Sequence, residues 1–475
     1  MTDYRTLPLC EPDRQNAFME LTAEYISNQE KTLGRKLTCH IATFGCQMNA
    51  RDSEKLLGIL KAVGYVETEE ETAADLVLMN TCTVRDNANQ RIFGRLGLLK
   101  SYRKSNPNMR IAMCGCMMQE ETVIEKIRKS YPYVDLIFGT HNIYKLAELL
   151  YRMLTEKKQV IEILDQADRI VEDLPIERKY PFKSGVNIMF GCDNFCSYCI
   201  VPYVRGRERS REPDEILKEV RNLAANGVKE IMLLGQNVNS YGKGCETSVT
   251  FAALLEQVAQ INGISRIRFM TSHPKDLSDD LIAIMRDEKK ICSHLHLPLQ
   301  SGSSRILKLM NRKYDKEQYC ALAEKIRSEI PDIAITTDII VGFPTEREED
   351  VDETLDVINR VRFDNAFTFI YSKRTGTAAA SMEGQVSDAF VKEQFARVLH
   401  AVQETSKEQT IRFLGRCVPV LVEEINEQDH ALLTGRMEQN LLVHFQGDPS
   451  LIGQIVPVHL KECKGFYFIG QLSHS

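Results

Sequence analysis

The chain has 475 residues and a mass of 54.2 kDa, more than one hydrophobic core ordinarily serves, so two or three domains are expected. Hydrophobic residues make up 43% and charged residues 27%, which excludes extensive disorder. A formal charge of -6 excludes a uniformly basic nucleic-acid coat but leaves room for a local basic groove.

The start, "MTDYRTLPLCEPDRQ", lacks the basic flank and apolar run of a secretory signal, and no later apolar segment is long enough to span a bilayer. A cytoplasmic protein with no membrane partner is therefore expected, and in that reducing compartment the 14 cysteines point to metal or redox chemistry rather than to disulfides. Residues 1–35 are polar, with a short amphipathic helix expected around Phe18, Leu21, Tyr25 and Ile26, docked on the surface and carrying no chemistry. Residues 36–155 alternate in α/β fashion, with strands expected at "LTCHIATF", "ADLVLMN", "MRIAMC" and "DLIFG". Cys46, Cys82 and Cys116 fall just after the first three. In a parallel sheet all three lie at the carboxyl edge, where α/β domains place ligands, and they can converge although far apart in sequence.

Residues 156–182 read as a connector. Residues 183–409 carry six strand candidates, "VNIMF", "EIMLLG", "RIRFMT", "HLHLPLQ", "IAITTDIIVG" and "NAFTFIYS", mostly separated by long amphipathic segments. Six such units predict a partial (βα)6 barrel with its functional groups in the loops after the strands. Residues 410–475 hold short β-like runs divided by glycines and polar turns, which predicts a small β-barrel. The fold class is thus α/β with a carboxyl-terminal β-barrel.

The strongest local signal is "GCDNFCSYCIVP", with Cys192, Cys196 and Cys199 spaced C-x3-C-x2-C directly after an apolar strand. Three thiolates ligate three irons of a 4Fe-4S cluster and leave one open. An open iron can chelate the amino and carboxylate groups of a methionine moiety and bring its sulfonium within reach of an electron; homolysis then yields a 5'-deoxyadenosyl radical. The competing reading is a zinc knuckle completed by Cys245 or a nearby histidine.

The three-cysteine run resembles the signature of the radical S-adenosylmethionine superfamily. The fuller string "FGCDNFCSYCIVPYVRGRERSR" resembles the methylthiotransferases, most closely the branch acting on isopentenylated adenosine in tRNA. The similarity runs from Lys36 to a terminal segment resembling TRAM, a small RNA-binding barrel. It implies a second 4Fe-4S cluster on Cys46, Cys82 and Cys116, leaving Cys114 as a buried strand thiol, with an open iron that keeps sulfur beside the substrate carbon. It further implies that one S-adenosylmethionine methylates that sulfur while a second supplies the radical. The product is a methylthio group at C2 of N6-(dimethylallyl)adenosine at position 37 of tRNA. The partners are then the tRNA anticodon stem-loop, an external electron donor and a sulfur source; a monomer is expected. The alternatives are a methylthiotransferase acting on threonylcarbamoylated adenosine or on an aspartate of a ribosomal protein, and a noncatalytic iron-sulfur RNA sensor.

Around these centres, Tyr198 packs on the cofactor adenine or braces the cluster loop. Gly235, Gln236 and Asn237 resemble the loop that receives the methionine amino group, against the plainer reading of a βα turn. Gln300, Ser301 and Gly342, with Asp338 and Glu346, are cofactor or substrate contacts or structural turns. His273 has no ligand spacing around it. Arg205, Arg207, Arg209 and Arg211 form a basic run beside the cluster cysteines, suited to tRNA phosphates or simply solvated. In the terminal domain Arg436, Asn440, Leu442, His444 and Phe445 are RNA contacts or strand-packing residues.

Overall fold

The computed structural model describes residues 7–83, 86–156, 158–166, 170–245, 247 and 249–473, and of residues 86–90 the backbone only. It divides into two compact units that interleave in sequence: residues 1–179, 190–192 and 200–208 form the first, and residues 180–189, 193–199 and 209–475 the second. Residues 157 and 167–169 of the connector lie outside the described residues.

In the first unit a helix, Asp13–Leu33, is closed by Gly34 in the left-handed conformation, whose amide donates to the Glu30 carbonyl. It buries Phe18, Thr22 and Ile26. Arg14 pairs with Glu148 on the helix Leu146–Glu156, so the expected docked helix is present and spans 21 residues. Six parallel strands follow: β1 (Thr38–Thr43), β2 (Val66–Glu67), β3 (Leu76–Thr81), β4 (Arg110–Gly115), β5 (Leu136–Phe138) and β6 (Val160–Glu162), in the order β2-β1-β3-β4-β5-β6. β3 is buried at every residue, as a central parallel strand covered on both faces must be. β2 and β6 are too short to show in the sequence pattern, and β6 draws part of the connector into the sheet. More of the connector is held too: the Glu177 amide donates to the Glu54 carbonyl, and Pro175 lies against Gly58 of the helix Gln47–Ala62.

In the second unit β7 (Lys183–Asn187) starts three residues earlier than the apolar run "VNIMF" suggests. Short strands β8 (Met189–Phe190), where the chain passes from the second unit to the first, and β9 (Arg209–Ser210), where it has returned, flank the cysteine loop in sequence. The remaining parallel strands are β10 (Glu230–Leu234), β11 (Arg266–Phe269), β12 (His294–His296), β13 (Ala334–Val341) and β14 (Asn365–Ile370). They form two sheets, β7-β10-β11 and β12-β13-β14, with a parallel bridge from Ile267 to Ile291 just before β12. This is an open, partial barrel of six parallel strands. Alternate strand residues such as Ile231, Leu233, Ile267 and Ile335 pack on an outer layer of helices. Their neighbours Glu230, Arg266, Arg268, His294 and His296 take the opposite face, as period-two alternation requires.

β15 (Cys417–Ile425), β16 (Leu432–Met437), β17 (Leu442–Gln446), β18 (Ile455–Cys463) and β19 (Tyr467–Leu472) close a five-stranded barrel in the order β15-β16-β17-β19-β18. Its core holds Val420, Val422, Met437, Val443, Phe445 and Phe468. Arg266 donates to the carbonyls of Arg436 (2.8 Å) and Pro419 (2.7 Å), and Arg268 to those of Met437 and Glu438 (both 2.8 Å). The two buried arginines of β11 thus bind the backbone of the terminal barrel.

Candidate metal centres

β1, β3 and β4 are sheet neighbours, and each of their carboxyl ends leads into one of the amino-terminal cysteines. Thr81 pairs with Gly115, so Cys82 and Cys116, one residue further on, leave adjacent strand ends. Cys46 lies three residues beyond β1 and caps the helix Gln47–Ala62. The turn before it is tight: Gly45 has a φ of +115°, and a Cβ there would stand 2.4 Å from Cβ and 2.8 Å from Sγ of Cys82.

Asn49, in the first turn of that helix and fully buried, ties these ends together. Its Nδ2 donates to the carbonyls of Phe44 and Thr81, both at 2.9 Å, one from each loop. Its Oδ1 faces two of the thiols, Cys46 Sγ at 3.8 Å and Cys116 Sγ at 3.9 Å. Cys82 and Cys116 are buried, and burial pushes the Cys116 thiol up to about 12, with Arg205 pulling it down. Cys114, by contrast, is enclosed among Leu76, Leu78 and Leu136, and burial raises its thiol well above the usual value.

Arg205 overturns the expectation that it meets tRNA phosphates. It is 5% exposed, its Nε donates to Cys116 Sγ at 3.2 Å, and its Nη2 donates to Asn49 Oδ1 (2.7 Å) and Asp52 Oδ2 (3.0 Å). The short helix Val201–Val204 brings it there by packing Ile200 and Val204 on Cys116.

The second cysteine loop is divided between the two units. In the first unit Cys192 is buried, and its amide donates to the Gly206 carbonyl at 3.2 Å. In the second, the Cys199 amide donates to the Cys196 carbonyl at 2.9 Å, the tight turn that Cys-x-x-Cys sites use. That turn is pinned by residues the sequence did not single out. Asn311, itself at φ +58°, donates to the carbonyls of Asn194 (3.3 Å) and Phe195 (2.9 Å). Arg312 directs Nη1 at Cys196 Sγ (3.5 Å), Nη2 at the Pro298 carbonyl (2.9 Å) and Nε at the Tyr314 hydroxyl (2.9 Å). A buried arginine therefore stands beside one thiol of each trio. A buried guanidinium beside a thiol suits the thiolate ligation of an anionic iron-sulfur cluster, although among the described residues no three His, Cys, Asp or Glu side chains close on a single ion.

Around the second loop, Tyr198 packs against Met310, Phe343 and Ala379, and burial holds its phenol well above the usual range. Gly235 lies against Met189, where a Cβ would meet Cγ at 2.5 Å, and Gln236 beside it is half-buried. Asn237 and Ser301 are corrected to structural positions. Asn237 is buried, donates to Asp276 Oδ2 (2.7 Å) and accepts from the His273 amide (3.1 Å); Ser301 is fully buried and accepts from the Ser303 amide. Gln300 has a φ of +73° and exchanges backbone hydrogen bonds with Asp338 and Ile340 of β13. The Gly342 amide donates to the buried Glu346 carboxyl. His273 accepts from the Lys275 amide, and burial with Arg312 nearby lowers it to about 2, so the ring is neutral.

The other RNA candidates divide. Arg211 is corrected as well: it is buried and donates to the Asn187 carbonyl and Glu219. So is Phe445, a fully buried core residue of the terminal barrel. Arg207 is exposed and Arg209 half-buried. Arg436 pairs with Glu423 and donates to the Asn440 carbonyl, while His444 meets Asn426 and Thr434 and packs edge-on against Tyr467.

Comparison with known proteins agrees with this architecture. Residues 186–358 match the radical SAM superfamily, residues 38–139 the uncharacterized protein family UPF0004, and residues 412–473 the TRAM domain. A radical S-adenosylmethionine methyltransferase, TsrM, from Kitasatospora setae shares the fold: TM-score 0.52 at 12% identity, covering 73% of this chain and 77% of that one. The chain is an iron-sulfur enzyme of the radical S-adenosylmethionine class.

Among curated proteins, the tRNA-2-methylthio-N(6)-dimethylallyladenosine synthase of Lachnoclostridium phytofermentans is 58% identical over 96% of this chain and 99% of its own length. That of Acetivibrio thermocellus is 54% identical over 97% and 96%. At that identity and coverage the chain belongs to the tRNA-2-methylthio-N(6)-dimethylallyladenosine synthase family.

Proposed function

We propose that this protein installs a methylthio group at C2 of N6-(dimethylallyl)adenosine at position 37 of tRNA, using two 4Fe-4S clusters, one on Cys192, Cys196 and Cys199 and one on Cys46, Cys82 and Cys116. The observation that carries the reading is the gathering of the second trio at three adjacent strand ends around Asn49. When bound, the clusters supply reductive cleavage of S-adenosylmethionine and a place to keep sulfur. An aromatic C-H is neither acidic nor a leaving-group site, so the side chains alone cannot make the exchange.

The residues of this chain bind, shape and orient. Asn311 and Arg312 fix the Cys196–Cys199 turn, and Tyr198, Gly235, Gln236, Gln300 and Gly342 line the cofactor side. Arg207 and Arg209 contact phosphate, while Arg436, Asn440 and His444 offer polar groups from the terminal barrel to the anticodon stem-loop, which is recognised by shape. The adenine leaves its stack to reach the cofactor. The enzyme works as a cytoplasmic monomer supplied by an external electron donor and sulfur source.

The test is an anaerobic assay of the reconstituted chain with isopentenylated, threonylcarbamoylated and unmodified tRNA, the nucleosides being read by mass spectrometry. Methylthiolation of the isopentenylated substrate is expected. The Cys46→Ala, Cys82→Ala, Cys116→Ala variant is expected to cleave S-adenosylmethionine and insert no sulfur; normal thiolation by it defeats the assignment of that trio.

A further inference from the structure

Arg205, the first arginine of the basic run, turns onto the amino-terminal cysteines. We infer that Arg205 is a positioning residue that supplies the buried counter-charge of the cluster proposed on Cys46, Cys82 and Cys116, with Asp52 as its opposing carboxylate. The inference rests on the reading of that trio as a cluster site.

A plain structural ion pair would need only Asp52. Arg205 instead divides its fork: Nε goes to Cys116 Sγ at 3.2 Å, and Nη2 is shared between Asp52 Oδ2 at 3.0 Å and Asn49 Oδ1 at 2.7 Å. That carboxamide oxygen is also the atom that Cys46 and Cys116 face. The guanidinium is thus bonded to one thiol directly and to two through a shared partner. Arg205 and Asp52 are both buried, so solvent and salt screen their charges little.

The charges have a definite sign. A cluster core carrying two positive charges against three thiolates is a net monoanion, and one added electron makes it a dianion. A fixed cation within hydrogen-bonding distance stabilises the dianion more than the monoanion, and cluster potentials follow net charge and hydrogen bonds to sulfur. Arg205 therefore raises the reduction potential and favours retention of the cluster. Asp52 acts in the opposite direction on potential, while its pairing holds the guanidinium in place.

The test uses the full-length chain carrying Cys192→Ala, Cys196→Ala and Cys199→Ala, reconstituted anaerobically with iron and sulfide so that only the amino-terminal site is filled. Iron and sulfide content, loss of iron to a chelator, and the midpoint of a dithionite titration followed by electron paramagnetic resonance are measured. Arg205→Gln is expected to shift the midpoint to more negative potential and to lose iron several-fold faster. Asp52→Asn is expected to shift it to more positive potential, and the double variant, which removes one charge of each sign, to return close to the parent. Arg205→Lys, which keeps the charge, is expected to stay nearer the parent than Arg205→Gln.

Should Arg205→Gln fold poorly because Asp52 is left buried alone, the comparison of Asp52→Asn with the double variant still reads the charge of Arg205. An unchanged midpoint in Arg205→Gln, or single-variant shifts of the same sign, overturns the assignment and leaves Arg205 a packing residue. A parent that takes up no iron overturns the cluster reading beneath it and this assignment together.

Discussion

Glu346 offers the sharpest test of the electrostatics of the partial barrel. It is 6% exposed at the turn after β13; burial pushes its carboxyl up to about 7, Asp350 adds to the rise, and the amides of Gly342 and Phe343 pull against it. The ordinary value is 4.5, so the difference of roughly 2.5 units corresponds to about 3 kcal/mol at 1.36 kcal/mol per unit. The folded chain holds this proton where the unfolded chain has released it. The stabilisation is therefore complete below pH 4.5 and is lost as pH rises toward about 7. Glu346→Gln keeps a neutral acceptor for the Gly342 amide and removes the titration. Urea unfolding of the two proteins, followed in parallel by circular dichroism across this range, should show the variant gaining on the wild type with rising pH. The gain levels off above about pH 7 at up to about 3 kcal/mol. Parallel stability curves, or a variant that loses ground at high pH, would refute the burial of an uncompensated carboxyl.

Three further outcomes follow from the geometry. Arg268→Met removes two hydrogen bonds to the terminal barrel and leaves Glu230, its partner at 3.0 Å, buried without that cation. A loss of about 3–5 kcal/mol in urea unfolding is expected, with partial recovery on adding Glu230→Gln. Asn311→Ala frees the carbonyls of Asn194 and Phe195, at about 1 kcal/mol for each lost hydrogen bond. Slower S-adenosylmethionine cleavage and faster iron loss from the neighbouring cluster are expected in an anaerobic time course. Arg207→Glu, at an exposed position, should weaken tRNA binding and reduce the slope of log affinity against log salt by about 1, measured by fluorescence anisotropy.

The parallel sheet was legible because its central strands each carry an apolar run, and a cysteine of the first trio follows each of them within three residues. β3 is the clearest case, with six consecutive buried residues. The partial barrel was legible from its strand and helix periods. Arg205 was not, since a run of arginines in a polar stretch has the composition of a solvated turn, and it is the packing of Ile200 and Val204 on Cys116 that turns this one inward. Asn49 was hidden for the opposite reason, as an ordinary polar residue in the first turn of a helix. Phe445 carried a usable signal: Val443 and Phe445 alternate with Leu442 and His444 along β17, and the former pair is the buried one. Arg266 and Arg268 likewise share a strand face, but nothing in "RIRF" says that this face meets carbonyl oxygens of another domain.

Those two arginines bear on any attempt to work with a shortened chain. Cutting before β15 would strip four carbonyl acceptors from guanidinium groups already enclosed by the sheet, so the shortened protein would carry a defect at the base of its radical domain. Poor catalysis by such a fragment could not be charged to missing RNA contacts alone. The same dependence restricts exchange of terminal modules between relatives, because a donor module must present main-chain oxygens at the positions where Arg266 and Arg268 reach.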